Sequence, residues 1–245
     1  MRKILPLLIV SVALTFAPVA HATGVLVNVK DTVLYGDTTM ITLQVLNNSQ
    51  KDVSAYSIKI TVTFANGATR IVRQDFERLG LVLSNAQDVH FHPGGMDEEY
   101  AAVLAIPGNP IYKVEAVADV VIYADRTAQV EDEDSFNRLV TIRASMAQGK
   151  RLAINAIDQA LADPINPNVL HDTIATLQPR LDAQIRTHAS DLVATHGLGP
   201  VLSVLQSMKP QAELGRDAKN LRDYSDRLHK DADAFEQHSK ITRVK

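Results

Sequence analysis

The chain alternates between apolar and polar positions from Val25 to about Tyr123, then changes period. Ile41, Leu43 and Val45 alternate with Thr42 and Gln44, and Ile58, Ile60, Val62 and Phe64 with Lys59, Thr61 and Thr63. Val114, Ala116, Ala118, Val120 and Ile122 repeat the pattern, with Lys113, Glu115 and Asp119 opposite. A period of two puts one face of each run on a core and the other in water. Asn47-Asn48-Ser49, Asn66-Gly67, Pro93-Gly94-Gly95 and Pro107-Gly108-Asn109-Pro110 punctuate the runs, and Asn-Gly suits the positive φ angles of a tight hairpin. About seven short strands over about 100 residues predict an antiparallel β-sandwich.

Glu131 to Asp134, "EDED", marks the change of period. Acidic side chains favour the positive N-terminal end of a helix. Four helices are expected: Asp134 to Ala162, Asn168 to His196, Val201 to Met208 and Gln211 to His238. Pro179 should kink the second, and Gly197-Leu198-Gly199-Pro200 should separate it from the third. In the last helix Leu214, Leu221, Leu228 and Phe235 recur every seven residues, with Ala218, Ser225 and Ala232 between them. That is a narrow seam of alternating large and small residues, as in a coiled coil. Another helix of the chain, a second copy or an envelope partner are its candidate occupants. Arg222–Asp226, Asp226–Lys230 and Arg227–Asp231 are spaced to pair along the outer surface. The expected class is therefore α+β and multi-domain: a sandwich over 23–130 and an all-α region over 131–245 ending in a long helix.

"VLNNSQKDVSAYSIKITVTFANG", from Val45, resembles the B–C region of immunoglobulin-like modules in uncharacterised secreted bacterial proteins. "VVIYADRTAQVEDEDSFNRL", from Val120, resembles the last strand of such modules running into a helix. Those modules tend to carry glycine after the Ala-Asp pair, where this chain has Arg126. The resemblance implies an immunoglobulin-like fold for the sandwich and no catalytic residues.

The N-terminus has the three parts of a secretory signal: basic Arg2 and Lys3, an apolar run from Ile4 to Phe16, and small residues at Ala20 and Ala22. The apolar run is shorter than the ~20 residues a membrane span needs. Cleavage after Ala22 is expected, so residues 1–22 form the leader and the mature chain lies outside the cytoplasm, in a periplasm or on a cell surface, with no membrane-spanning segment. Losing Arg2 and Lys3 with the leader lowers the formal charge from −3 to −5. A mildly acidic chain argues against nucleic acid as a partner, because phosphate binding needs a basic surface, though it leaves room for a local basic patch. The absence of cysteine rules out disulfides, thiol nucleophiles and thiolate ligands. With no tryptophan and few aromatic residues, a stacking platform for sugars or bases is not expected.

One stretch looks like chemistry: "DVHFHPGGMDEEY", from Asp88 to Tyr100. Two residues apart, His90 and His92 share a strand face. With Asp97 or Glu98 they form a candidate zinc set. In the plainer reading Val89 and Phe91 point to the core, the histidines face water, and Asp97, Glu98 and Glu99 are solvated turn residues. His171, His188 and His196 are not spaced to share a helical face. No Gly-x-Ser-x-Gly elbow, phosphate loop or His-Glu-x-x-His helix occurs. The leading expectation is an exported, non-catalytic binding or structural protein of a bacterial envelope, without a cofactor. A protein partner or a homodimer through the C-terminal helix is the expected association. A metal-dependent enzyme using His90 and His92, or a periplasmic chaperone or assembly factor, are the alternatives.

Overall fold

The computed structural model describes residues 24–79, 91–163, 166–187, 191–208 and 216–244. The leader, His90, His188 and Leu214 lie outside the described residues. Strands β1 (Val25–Tyr35), β2 (Thr38–Asn47), β3 (Val53–Phe64), β4 (Thr69–Glu77), β5 (Met96–Leu104), β6 (Ile111–Tyr123) and β7 (Thr127–Val130) come first. Helices α1 (Glu133–Leu161), α2 (Val169–Thr187), a π-helical turn (Val193–Leu198), α3 (Gly199–Ser207) and α4 (Arg216–His238) follow, then β8 (Thr242–Arg243). The chain is α+β, with strands N-terminal and helices C-terminal. Among the described residues no helix is long and apolar enough to cross a membrane.

The strands form two sheets, ordered β1-β2-β5 and β4-β3-β6-β7-β8. All pairings are antiparallel except β7 with β8. The expected inward positions fill the space between the sheets: Ile41, Leu43, Val45, Ile58, Ile60, Val62 and Phe64 belong to one buried cluster. Turn chemistry holds too, with Gly36, Gly67, Gly94 and Gly108 at positive φ. Arg126 takes φ 67°, the conformation glycine would fill most cheaply.

β6 departs from the sequence pattern. Ser57 pairs with Val120 and Ile58 with Ala118, so Asp119 is an extra, bulged residue. The bulge reverses the alternation. Val114 and Ala118 face the inner core, whereas Val120 and Ile122 face outward onto Phe136 and Leu139 of α1. They are buried by the helix rather than by the other sheet. A second bulge at Ser54 does the same to β3, turning Ala55 outward into that helix-facing cluster.

α1 starts where the acidic run predicts. The Asp132 side chain accepts a hydrogen bond from Ser135 N at 2.8 Å and caps the helix, with Glu133 and Asp134 in its first turn. Two other expectations are corrected. α2 ends at Thr187 rather than His196, and Gly197 to Pro200 do not break the chain, because the π-helical turn runs directly into α3. Pro200 sits in the first turn of α3, where its missing N–H costs no bond. Gly197 lets the π-helical turn touch α1: a Cβ on Gly149 would lie 2.4 Å from Gly197 Cα. β8 carries no sequence signal; two residues are too few to alternate.

Gly149→Ala should therefore destabilise the bundle by about 1–3 kcal/mol, the usual cost of overpacking, despite alanine's better helix propensity. Urea unfolding monitored by circular dichroism measures it; unchanged or higher stability would mean the two backbones separate without loss.

Candidate functional site

The largest fully buried side chain is Arg143 of α1. Its guanidinium donates to Glu77 from Nε (2.6 Å) and Nη2 (3.2 Å), to Ser54 Oγ from Nη2 (2.9 Å) and to the His238 carbonyl from Nη1 (3.0 Å). Ser54 Oγ in turn donates to the Ile122 carbonyl at 3.1 Å. One cation thus joins the Ser54 bulge, the end of β4, α1 and the C-terminus of α4. Its charge meets the Glu77 carboxylate and the negative end of the α4 dipole.

A second polar cluster sits beneath the start of α1. Backbone N–H groups of Glu131 and Asp132 donate to the Asp119 carbonyl at 2.8 and 3.2 Å. Ser135 Oγ donates to Asp119 Oδ2 at 3.1 Å, and Arg73 Nε lies 3.9 Å from it. Burial pushes the Asp119 carboxyl above its usual range, against the pull of the Ser57 and Ser135 hydroxyls and the Arg73 guanidinium. The sequence placed Asp119 in water; the bulge buries it.

The third cluster lies between the sheets at one edge. Arg78 donates to Tyr56 Oη (3.0 Å), to Glu99 (2.7 Å) and to Asp97, and Tyr56 donates to Glu99 at 2.7 Å. The guanidinium also lies over the Tyr56 and Phe91 rings. Burial, then the Glu99 hydrogen bond, raises the Tyr56 phenol.

These contacts separate the candidate metal ligands. His92 bonds to Asp52 (2.8 Å), Asp97 to Arg78, and Glu98 to Lys30 (2.5 Å) and Tyr100. Asp97, Glu98 and Glu99 belong to β5, not to a turn, because the turn closes at Pro93-Gly94-Gly95 and pairing with β2 begins at Met96. Phe91 is buried and His92 half exposed. Among the described residues no three His, Asp or Glu side chains gather as a metal set. Asn47 is buried, its Nδ2 donating to the Phe91 and Lys51 carbonyls.

The α4 seam closes inside the chain. Leu221, Ser225, Leu228, Ala232 and Phe235 are buried, and Ala218 is partly so. Leu221, Leu228 and Tyr224 pack with Ala153, Ile154, Ala156 and Ile157 of α1, and Phe235 packs with Ala147 and Leu79. Charges on α4 pair across to α1 rather than along the helix: Lys150–Asp231 at 3.2 Å, and Arg151 with Asp233 and Glu236. The three pairs expected along the surface are absent among the described residues, since Asp231 reaches Lys150 and Arg227 covers the Tyr224 ring.

What remains exposed is the outer face of the first sheet. Met96, Tyr100 and Leu104 of β5 and Val33 and Tyr35 of β1 flank the outward side chains Met40 and Leu46 of β2. One end of the second sheet's outer face, around Ala55, Val120 and Ile122, lies under α1 instead.

No protein-family model and no curated protein matches the sequence. Solved structures match weakly. A DUF1425 family member from Shewanella sp. pv-4 is 15% identical, with 38% of this chain and 75% of that chain covered at a TM-score of 0.26. A hypothetical protein from Peptoclostridium difficile 630 is 9% identical over 49% and 92%, TM-score 0.27. A beta-glucosidase from Kluyveromyces marxianus is 12% identical over 40% and 14%, TM-score 0.27.

Two predictions follow from the polar clusters. Arg143→Ala leaves the Glu77 carboxylate buried without its cation and should cost roughly 3–5 kcal/mol. Arg143→Met combined with Glu77→Leu should recover most of that loss. Guanidinium melts of the parent, Arg143→Ala, the singles Arg143→Met and Glu77→Leu, and their double test it, and an additive double variant would show that the two side chains do not act as a pair. Asp119 behaves as a raised carboxyl. Its folded form is favoured while protonated, below the unfolded value of about 3.9. That contribution is lost as pH rises through the higher folded value. Asp119→Asn should therefore be at least as stable as the parent at pH ~7, with the advantage vanishing near pH ~3. A difference that does not change across that range would refute the burial account.

Proposed function

We propose that this chain is an exported, non-catalytic binding protein of a bacterial envelope, built on an immunoglobulin-type sandwich. The strand order supports the fold reading. β1, β2 and β5 take the places of strands A, B and E, opposite β3, β6 and β7 as C, F and G, with β4 beside C. The α-helical region acts as a support welded to one sheet through Arg143 and the cluster around Asp119.

One observation carries the binding reading: most of the exposed large apolar side chains among the described residues, six of ten, lie on one sheet. Val33, Leu34, Tyr35, Met96, Tyr100 and Leu104 all belong to β1 or β5. An exposed apolar patch is the usual mark of a protein-binding surface, and here the Lys30–Glu98 pair crosses it between Met96 and Tyr100. The chaperone alternative needs an open strand edge beside such a face. On β5 that edge is occupied, because Gln74 and Arg70 donate to the Tyr100 and Leu104 carbonyls at 3.0 and 2.9 Å, so β1 is the edge such a reading would use. The metal-enzyme alternative draws no support from His92, Asp97 and Glu98, which are bonded to three different sets of partners.

A photo-crosslinking residue at Met96 or Tyr100 should give a discrete protein adduct in the native envelope. One at His171, 82% exposed on α2, should not. The recovered protein should lack residues 1–22. Equal labelling at His171, or full-length protein in the cytoplasm, would defeat the proposal.

A further inference from the structure

The two edges of the first sheet are treated differently. β5's edge is covered by Gln74 and Arg70, whereas β1 pairs with β2 alone among the described strands; β6 of the second sheet packs close to it, but no strand pairing reaches β1's other edge. The Thr32 N–H shows the consequence. It takes its bond from the neighbouring Asp31 carboxylate at 2.7 Å, not from a strand. Leaving an edge open while exposing Val33, Leu34 and Tyr35 on it is the arrangement that invites strand pairing.

We propose that β1 pairs antiparallel with β1 of a second copy, in the register that sets Lys30 opposite Asp31 of that copy. Three features of this strand fit each other about the same two-fold point. The first is charge: Lys30 and Asp31 are adjacent, so a two-fold axis between them brings each cation against an anion twice. Both pair on the outer side, since Lys30 reaches Glu98 there and Asp31 aligns with Thr42, whose other neighbour is the outward Tyr100.

The second is the face pattern. Val27 and Val29 pack on the inner core, and β1 shifts register between Val29 and Asp31. After the shift, Thr32 and Leu34 align with the inward Ile41 and Thr39. The register places Val29 opposite Thr32 and Val27 opposite Leu34, inner with inner. It places Asn28 opposite Val33 and Leu26 opposite Tyr35, outer with outer. Without the bulge the faces would not match, because residues paired across antiparallel strands must share a face.

The third is the backbone. Residues alternate in which edge their N–H and C=O serve. The inward set, Val27, Val29, Thr32 and Leu34, is the one whose groups point away from β2. These are the residues the register joins as hydrogen-bonded pairs. A lysine and a bulge on an edge ordinarily discourage pairing. Here the bulge supplies the face match and the lysine meets an aspartate.

The dimer would extend the first sheet to six strands. It concerns the sheet's edge, so it stands or falls independently of the binding reading for the sheet's face. Edge pairing buries little area, which places the affinity at the weak end. Light scattering of the mature protein between about 1 and about 100 μM should show mass rising from monomer to dimer. Lys30→Asp should weaken association roughly ten-fold, since it sets like charges opposite each other twice. Adding Asp31→Lys should restore it.

The register has a sharper test, because the chain has no cysteine of its own. Asn28 and Val33 would face each other as a non-hydrogen-bonded pair about 4.5 Å apart, within disulfide range. Asn28→Cys and Val33→Cys variants mixed under mild oxidation should form a covalent dimer, while neither does so alone. A monomeric mass at every concentration, no covalent product from the mixture, or equal product from one variant alone would each overturn the proposal. The first two outcomes are also what an edge reserved for a foreign strand would give.

Discussion

A guanidinium with no contact to water has to be answered from every side, and Arg143 organises the molecule around that need. Its partners come from three places outside α1, which carries it: Ser54 on a strand bulge, Glu77 at a strand end and the His238 carbonyl at a helix end. Remove any of these and a charge is left in a low-dielectric interior, which is far more costly than the pair is stabilising. The geometry therefore selects one docking of α1 on the second sheet, and one end point for α4. Apolar packing of Phe136 and Leu139 on Val120 and Ile122 supplies area but would tolerate sliding. The fork of Arg143 on Glu77 does not.

The two bulges make that docking feasible. An uninterrupted β3 and β6 would present polar alternates outward, as the solvated face of an antiparallel sheet does. The extra residues Ser54 and Asp119 shift the phase, so Ala55, Val120 and Ile122 arrive outside as an apolar surface. The bulged residues themselves supply the polar groups that receive the helix. Ser54 receives Arg143, and the Asp119 carbonyl receives two N–H groups that lead into α1. β3 records this as a strand buried on both faces in its first half and on one in its second.

Much of this architecture was legible in the sequence. Period two gave the inner core, acids before the period change gave the start of α1, and spacing by seven gave the buried side of α4. The rest depended on partners far apart in the chain. An alternating run cannot reveal a bulge when both phases beyond it are apolar, as they are from Val120 to Tyr123. Arg143 reads as one more charge on a helix until Glu77 is placed beside it. Glycine and proline at Gly197 to Pro200 signal a break in any local rule, but here serve close contact and a helix start. For the candidate site, the His-x-His spacing was visible, but Asp52 beside His92 and Arg78 beside Asp97 were not.

The same asymmetry shapes the surface. The second sheet spends part of its outer face on α1 and one edge on β8, whose Arg243 lies over the Phe136 ring and pairs with Glu133. Its inner face and that of the first sheet are consumed by the shared core. The first sheet's outer face and β1 edge then hold most of the large apolar side chains left exposed on the sheets, with Ile71 and Tyr112 on the second sheet. Monomeric domains normally dilute such residues or cover them. Here α1 covers part of the second sheet and Gln74 and Arg70 reach the β5 edge, while Val33, Tyr35, Met96, Tyr100 and Leu104 stay exposed. A fold that anchors its helices by a buried ion pair on one sheet frees the opposite sheet from any internal packing duty. Its side chains can then be set by a partner alone.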